Sequence, residues 1–319
     1  MATPILFALD LEPDARLPTD VDKTIDNAGV ALRSISEMRS TLEQATGARA
    51  NVSWYVRMDR HIAALFGDPC AMAERFRSEL ETAFATGDEI GLHIHSIEKD
   101  EHGRWRVNYA DPNLIADTVD EAFENFAAFF GRSCRSVRMG DMWTSNACMR
   151  QLAAKGVRYD MSIESGLRPQ HLTGLYPGTS SKGRRPSQVA SPSHPYRPFA
   201  GEAGLDEMWA LPLSSHPRTD YHHPGMWLIS AYTAAMTGFR RLRARDVVRP
   251  QAEYAPGKLE AAIDAALTAN DPPGLCVAVR NYGAAARIEK FFDILCEAAQ
   301  RRPIQFCTPA DYVRLTTAR

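Results

Sequence analysis

The run from Pro4 to Glu12 is apolar on both of its alternating faces and turns acidic only at its end. Read as a strand, it sets Ile5, Phe7, Leu9 and Leu11 on one side and Leu6, Ala8, Asp10 and Glu12 on the other. A strand with one face in water would alternate apolar and polar residues throughout. This run instead predicts a strand covered on both faces, as in a parallel sheet. Pro13 ends it.

Similar runs recur at Asn51–Arg57, Asp88–Ser96, Arg135–Gly140, Val157–Ile163, Met208–Leu213, Leu275–Arg280 and Pro303–Cys307. Helical patterns alternate with them. Ile25, Ala28, Leu32, Ile35, Met38 and Leu42 keep helical spacing up to a C-cap at Gly47. Further helices are expected from about Cys70 to Phe84 and from Leu114 to Phe130, which stops at Gly131. Thr144 or Ser145 caps one that runs through Leu152 to Gly156. Others are expected near Trp227–Arg243, at Lys258–Leu267 and at Ile288–Ala299. Thr308-Pro309 opens the last, with a capping side chain and proline at the first helical position. The alternation predicts an α/β fold: a distorted (β/α) barrel of seven or eight parallel strands, one domain spanning residues 1–319. Its rhythm breaks only at about 166–206, a Pro-, Gly-, Ser- and Arg-rich loop insertion.

Composition narrows the function. A net charge of −2 gives no electrostatic footprint for nucleic acid or an acidic membrane. No apolar run reaches the ~20 residues of a transmembrane helix. The first residues lack a basic n-region, so no signal peptide is expected. Six scattered cysteines without a C-x-x-C pair read as buried thiols in a reducing compartment, which places the chain in the cytoplasm. The oligomeric state stays open, a homo-oligomer included.

Parallel barrels carry their sites at the carboxyl ends of the strands. Those ends hold Asp10 and Glu12, then His93 and His95, then Arg138 with Gly140 and Asp141. Asp160 and Ser162 follow, with His216 after the sixth strand and Arg280 at the end of the seventh. His93 and His95 share a face two residues apart, a ready pair of metal ligands. With carboxylates at the same rim they suit a mononuclear divalent cation with a spare acid beside it. Asp14 is an alternative to Glu12 as the carboxylate ligand. Arg138 is placed to orient Asp10. Trp143, after Asp141-Met142, lines either a substrate cleft or the core.

In order along the chain, several segments resemble the polysaccharide deacetylase family, carbohydrate esterase family four. Phe7-Ala-Leu-Asp-Leu-Glu12 is similar to its opening strand with paired acids, and Asn51-Val-Ser-Trp-Tyr-Val56 to its second strand. Glu89-Ile-Gly-Leu-His93 is similar to the strand leading to its metal histidines. Val137-Arg-Met-Gly140, Gly156-Val-Arg-Tyr-Asp-Met-Ser162 and Phe306-Cys-Thr-Pro309 resemble its later motifs. The resemblance implies a distorted deacetylase-type barrel that removes acetyl groups from an amino sugar or glycoconjugate with a divalent ion, zinc being the expectation. Carried over by position, Asp10 is the general base and Glu12, His93 and His95 are the ligands. The chain departs from the family twice. Position 97, where a second histidine usually stands, is Ile, and Arg280 stands where the family supplies an acid histidine.

Arg280 is a poor proton donor, its pKa exceeding about 12, and reads as a charge clamp on substrate together with Asp141 and Trp143. His216, His222 and His223 are the candidate general acids, His216 first. The expected activity is hydrolysis of a carbon–nitrogen amide bond in an oligosaccharide or other small substrate. A small non-sugar amide, or a silent barrel that binds carbohydrate or a partner, are the alternatives.

Overall fold

In the computed structural model, the described residues are 2–15, 17, 23–214, 216–217, 247–248, 260, 263–264, 267, 274–280 and 285–318. Eight strands build the main sheet: β1 (Thr3–Leu11), β2 (Ser53–Arg57), β3 (Glu89–Ile94), β4 (Ser136–Met139), β5 (Tyr159–Asp160), β6 (Trp209–Ala210), β7 (Leu275–Arg280) and β8 (Ile304–Phe306). Their order is β6-β5-β4-β3-β2-β1-β7, and β8 pairs with the start of β1. Every pairing is parallel. The sheet curls until its far ends touch. Ser214 N–H donates to the Cys276 carbonyl at 2.7 Å, and Cys276 N–H donates to Ser214 Oγ at 2.9 Å.

The two faces of β1 divide as the alternation requires. Leu6 and Ala8 join Tyr55, Met161, Leu211 and Cys276 in a small cluster inside the curl. Ile5, Phe7, Leu9 and Leu11 belong to the larger outer core under the helices. Phe7 packs its ring on Phe291 and Phe292 at centroid distances of 5.6 and 5.0 Å. Burying each such ring contributes about 1.5–3 kcal/mol. Polar residues come only where β1 leaves the interior cluster, at Asp10 and Glu12.

The flanking helices are α1 (Asp26–Thr46), α2 (Arg60–Phe66), α3 (Ala71–Arg75), α4 (Arg77–Ala85), α5 (Pro112–Phe130), α6 (Asn146–Ala154), α7 (Leu172–Leu175), α8 (Ala285–Arg301) and α9 (Pro309–Thr317). Ser145 rather than Thr144 caps α6, accepting from Cys148 N–H at 3.2 Å. The single helix expected from Cys70 to Phe84 is two. The backbone at Phe76 leaves the helical range (φ −118°, ψ 27°), and its buried ring lies against Gly29 of α1. The polar excursion from Glu98 to Asn108 contains an antiparallel pair, Ile97–Lys99 with Trp105–Val107. The 166–206 insertion carries a second pair, Gln170–His171 with Arg184–Arg185. The expected helix near Trp227–Arg243 lies outside the described residues. Of Lys258–Leu267, residues 260, 263–264 and 267 are described, and they are helical.

The strand at β5 is shorter than expected because side chains take over its hydrogen bonds. Ser162 Oγ accepts from Met139 N–H at 2.8 Å, where a backbone carbonyl would have continued the ladder. Ser162 N–H turns to Asp160 Oδ1 at 2.8 Å.

Candidate metal centre

The carboxyl ends of β1, β3 and β4 meet at one rim. Parallel register carries Asp10 beside Tyr55 on β2, Arg57 beside His93, and His93 beside Arg138. Glu12, His93 and His95 each offer a ligand atom within 4.8 Å of the others, all buried. Among the described residues no other His, Cys, Asp and Glu group of three or more converges in this way. His95 Nε2 lies 3.0 Å from His93 Nε2, with the rings nearly perpendicular at 89°. Glu12 Oε2 is 3.7 Å from His93 Nε2 and 3.5 Å from His95 Nε2.

Hydrogen-bond polarity decides what this geometry needs. His93 Nδ1 is 2.9 Å from the Arg138 carbonyl, which can only accept, so Nδ1 carries the hydrogen. In the neutral ring, Nε2 of His93 then presents its lone pair towards His95 Nε2 and Glu12. Where His95 Nε2 presents its lone pair as well, two lone pairs and a carboxylate face one point, an arrangement that a positive charge between them would stabilise. Burial disfavours the Glu12 carboxylate, yet His93 and His95 outweigh it and hold its pKa well below the ordinary range. Burial alone would lower the His95 pKa, but Asp141 and Glu12 raise it above the ordinary value. A mixed histidine–carboxylate set of this kind fits a divalent cation such as zinc.

Beside this trio sits Asp10. Its Oδ2 accepts from Arg138 Nη1 at 2.6 Å, a fully buried ion pair. Among the described residues its Oδ1 has no hydrogen-bond partner, and it lies 3.8 Å from His93 Nδ1. Arg138 thus serves two neighbours with different atoms: guanidinium to Asp10, main-chain carbonyl to His93. Asp14 is engaged elsewhere. Its two carboxylate oxygens accept from Asp26 and Asn27 N–H at 2.9 and 3.0 Å, where Ile25 offers α1 no side-chain cap. Of the two carboxylates, the geometry brings Glu12 and not Asp14 to the two imidazoles.

The other candidates take separate places. Arg280 pairs in register with Asp10, and strand alternation sets it on the interior face with Cys276 and Ala278. Asp141 lies against His95, Oδ2 to Nδ1 at 3.5 Å, and both its oxygens accept from the Tyr176 hydroxyl at 2.8 and 2.9 Å. Trp143 is buried, 6% exposed, and stacks on Tyr109 at 4.7 Å with an 8° interplanar angle. It packs with the outer core and presents little surface to a substrate. The backbone of His216 pairs with Val248 in a two-residue antiparallel strand. Its side chain, with His222 and His223, lies outside the described residues. Ile97 is buried in its hairpin and offers no ligand.

Tyr176 is a residue of this rim that the sequence did not single out, and Gly140, read there only as part of a strand end, has a steric role. A Cβ at Gly140 would fall inside the His95 ring, so only glycine lets β4 pass that close. Tyr176 comes from the insertion, 35 residues beyond its partner, and no local pattern announces such a contact.

No protein-family model and no curated protein sequence matches this chain. Among solved structures it is similar to a Mycobacterium smegmatis protein assigned as a polysaccharide deacetylase, with TM-score 0.56 and 13% identity, covering 99% of this chain and 90% of that one. It is similar to the allantoinase PuuE at TM-score 0.55 and 13% identity, with the same coverage of 99% and 90%. The fold is a deacetylase-type barrel. In this deacetylase-type barrel the Glu-His-His trio stands at the strand ends where parallel barrels carry their sites. No helix among the described residues is long and apolar enough to cross a membrane.

Proposed function

We propose that this chain is a metal-dependent hydrolase of carbon–nitrogen amide bonds, acting most directly as an N-deacetylase of an amino sugar or glycoconjugate. The observation that carries the reading is the convergence of Glu12, His93 and His95 on one point, with Asp10 Oδ1 beside them left without a hydrogen-bond partner among the described residues. A divalent cation held by Glu12 and the two imidazoles, zinc by this donor set, would polarise the amide carbonyl and make a water acidic enough to attack near neutral pH.

The residues divide the remaining work. Asp10 Oδ1 accepts the proton of the attacking water as general base. Arg138 grips Oδ2 and fixes which oxygen does so. Arg280, a permanent cation in register with that base, clamps charge on the substrate side of the interior. His216 is the proposed donor to the departing amine, assigned by its place after β6 alone.

The second reading keeps the chemistry and replaces the sugar by a small non-sugar amide. The near-equal likeness to an allantoinase favours it. Metal analysis of the purified protein, followed by product assays, tests both. Stoichiometric zinc with acetate release from chitooligosaccharides supports deacetylation. Stoichiometric zinc with turnover only of small amides supports the second reading. A protein that takes up neither zinc nor cobalt removes both and leaves a silent barrel.

A further inference from the structure

We propose that Asp141, held by Tyr176 of the 166–206 insertion, is a positioning residue that fixes which nitrogen of His95 faces the metal. The inference rests on the metal-dependent reading above, and it concerns how this chain builds that site.

The turn Gly140–Met142 after β4 is the most contorted stretch of backbone at the rim. Asp141 (φ 56°) and Met142 (φ 52°) are the non-glycine residues with positive φ among the described residues, and they are consecutive. Each such residue is strained and persists only where its surroundings impose it. Here they do so from three directions. Tyr109 hydroxyl donates to the Gly140 carbonyl at 3.3 Å, Gln188 Nε2 donates to the Met142 carbonyl at 2.7 Å, and Tyr176 hydroxyl donates to the Asp141 carboxylate. Two of the three donors belong to the insertion. Its long detour is thus built into the rim, against the turn that follows β4.

The contortion aims Asp141 at the rear nitrogen of His95. Glycine at 140 lets the imidazole lie against the turn, and the left-handed backbone swings the next carboxylate to 3.5 Å from Nδ1. A carboxylate can only accept, so it favours the ring form with hydrogen on Nδ1 and leaves the Nε2 lone pair for the ion. The two ligands therefore receive the same instruction by different means. A main-chain carbonyl sets His93, and a side-chain carboxylate sets His95.

Zinc dissociation constants measured by chelator competition test this, alongside the thermal midpoint of the metal-free protein. Asp141→Asn keeps the shape but can turn an amide N–H toward Nδ1, which favours the opposite ring form. It should weaken zinc binding about 10–100-fold, the usual cost of removing such an outer partner. Tyr176→Phe leaves the carboxylate and removes its donor, so it should lower the metal-free midpoint and weaken zinc less than Asp141→Asn does. Arg184→Ala, an exposed change in the same insertion, should bind zinc as the wild type does. Zinc bound equally tightly by wild type, Asp141→Asn and Tyr176→Phe overturns the inference and spares the metal site. Zinc weakened as much by Tyr176→Phe as by Asp141→Asn overturns it too, because the effect would then come from the turn's structure and not from the carboxylate facing His95. Wild-type protein that binds no zinc overturns this inference together with the reading beneath it.

Discussion

Two buried knots of charge sit against each other at the rim, and they are finished to different degrees. On β2 and the start of α2, Arg57 donates to both oxygens of Asp59 at 2.9 Å each. Asp59 also accepts from His61 and Ile62 N–H at 3.1 and 3.3 Å, capping α2, and Arg57 Nη2 lies 3.1 Å from His61 Nδ1. Burial works to raise the Asp59 pKa, but Arg57, His61 and His95 together lower it. Across the sheet, Asp10 receives one hydrogen bond from Arg138, while among the described residues Asp10 Oδ1 and Arg138 Nε have none. Burial is equal; satisfaction is not. A closed knot spends its hydrogen-bonding capacity on the fold, whereas an open one keeps capacity for something that arrives.

The largest expected effect tests the open knot. His93→Ala should abolish zinc binding and with it turnover; unchanged metal content would show that the trio is not a ligand set. Next, Asp10→Asn should retain zinc and lower kcat by about 10²–10⁴, the range for a general base. Full activity in that variant would make the open oxygen incidental. The closed knot should answer in stability. Asp59→Ala strands a buried guanidinium and should cost about 3–5 kcal/mol of unfolding free energy by denaturant titration. Should Asp10→Asn prove the more destabilising of the two, the contrast between the knots is lost.

The smallest effect sharpens the contrast with an acid that belongs to neither knot. Burial pushes the Asp160 pKa up to about 6, against the hydrogen bonds from Ser162 and the more distant Arg138. Its folded value lies above the unfolded one, so its contribution is fully present below about pH 4 and is lost as pH rises through about 6. Asp160→Asn should remove that loss, on the order of 2–3 kcal/mol, between unfolding curves taken at pH 4 and pH 7. Parallel pH dependence in wild type and variant would assign the acid an ordinary carboxylate.

The first four strands were legible because each alternates faces without ambiguity and turns polar at its end, as at Glu12 and His93. The same alternation puts Asp10 with Glu12, and His93 with His95, on shared faces of their strands. The knot on β2 was not legible as a unit. Asp59 caps α2, yet Arg57, Asp59 and His61 look like ordinary surface polarity when read along the chain. The break at Phe76 and the shortening at β5 came from tertiary contacts that override local pattern. Asp14 against Glu12 was a choice that sequence could not make, since the deciding partners, Asp26 and Asn27, lie across a loop.

Because position 138 anchors one imidazole through its main chain, that anchor passes unchanged to whatever amino acid is placed there. Replacing Arg138 would alter only the companion of Asp10. An engineer could therefore retune the surroundings of the Asp10 carboxylate at a single codon without releasing the His93 ring, a separation that the neighbouring imidazole at 95 does not offer.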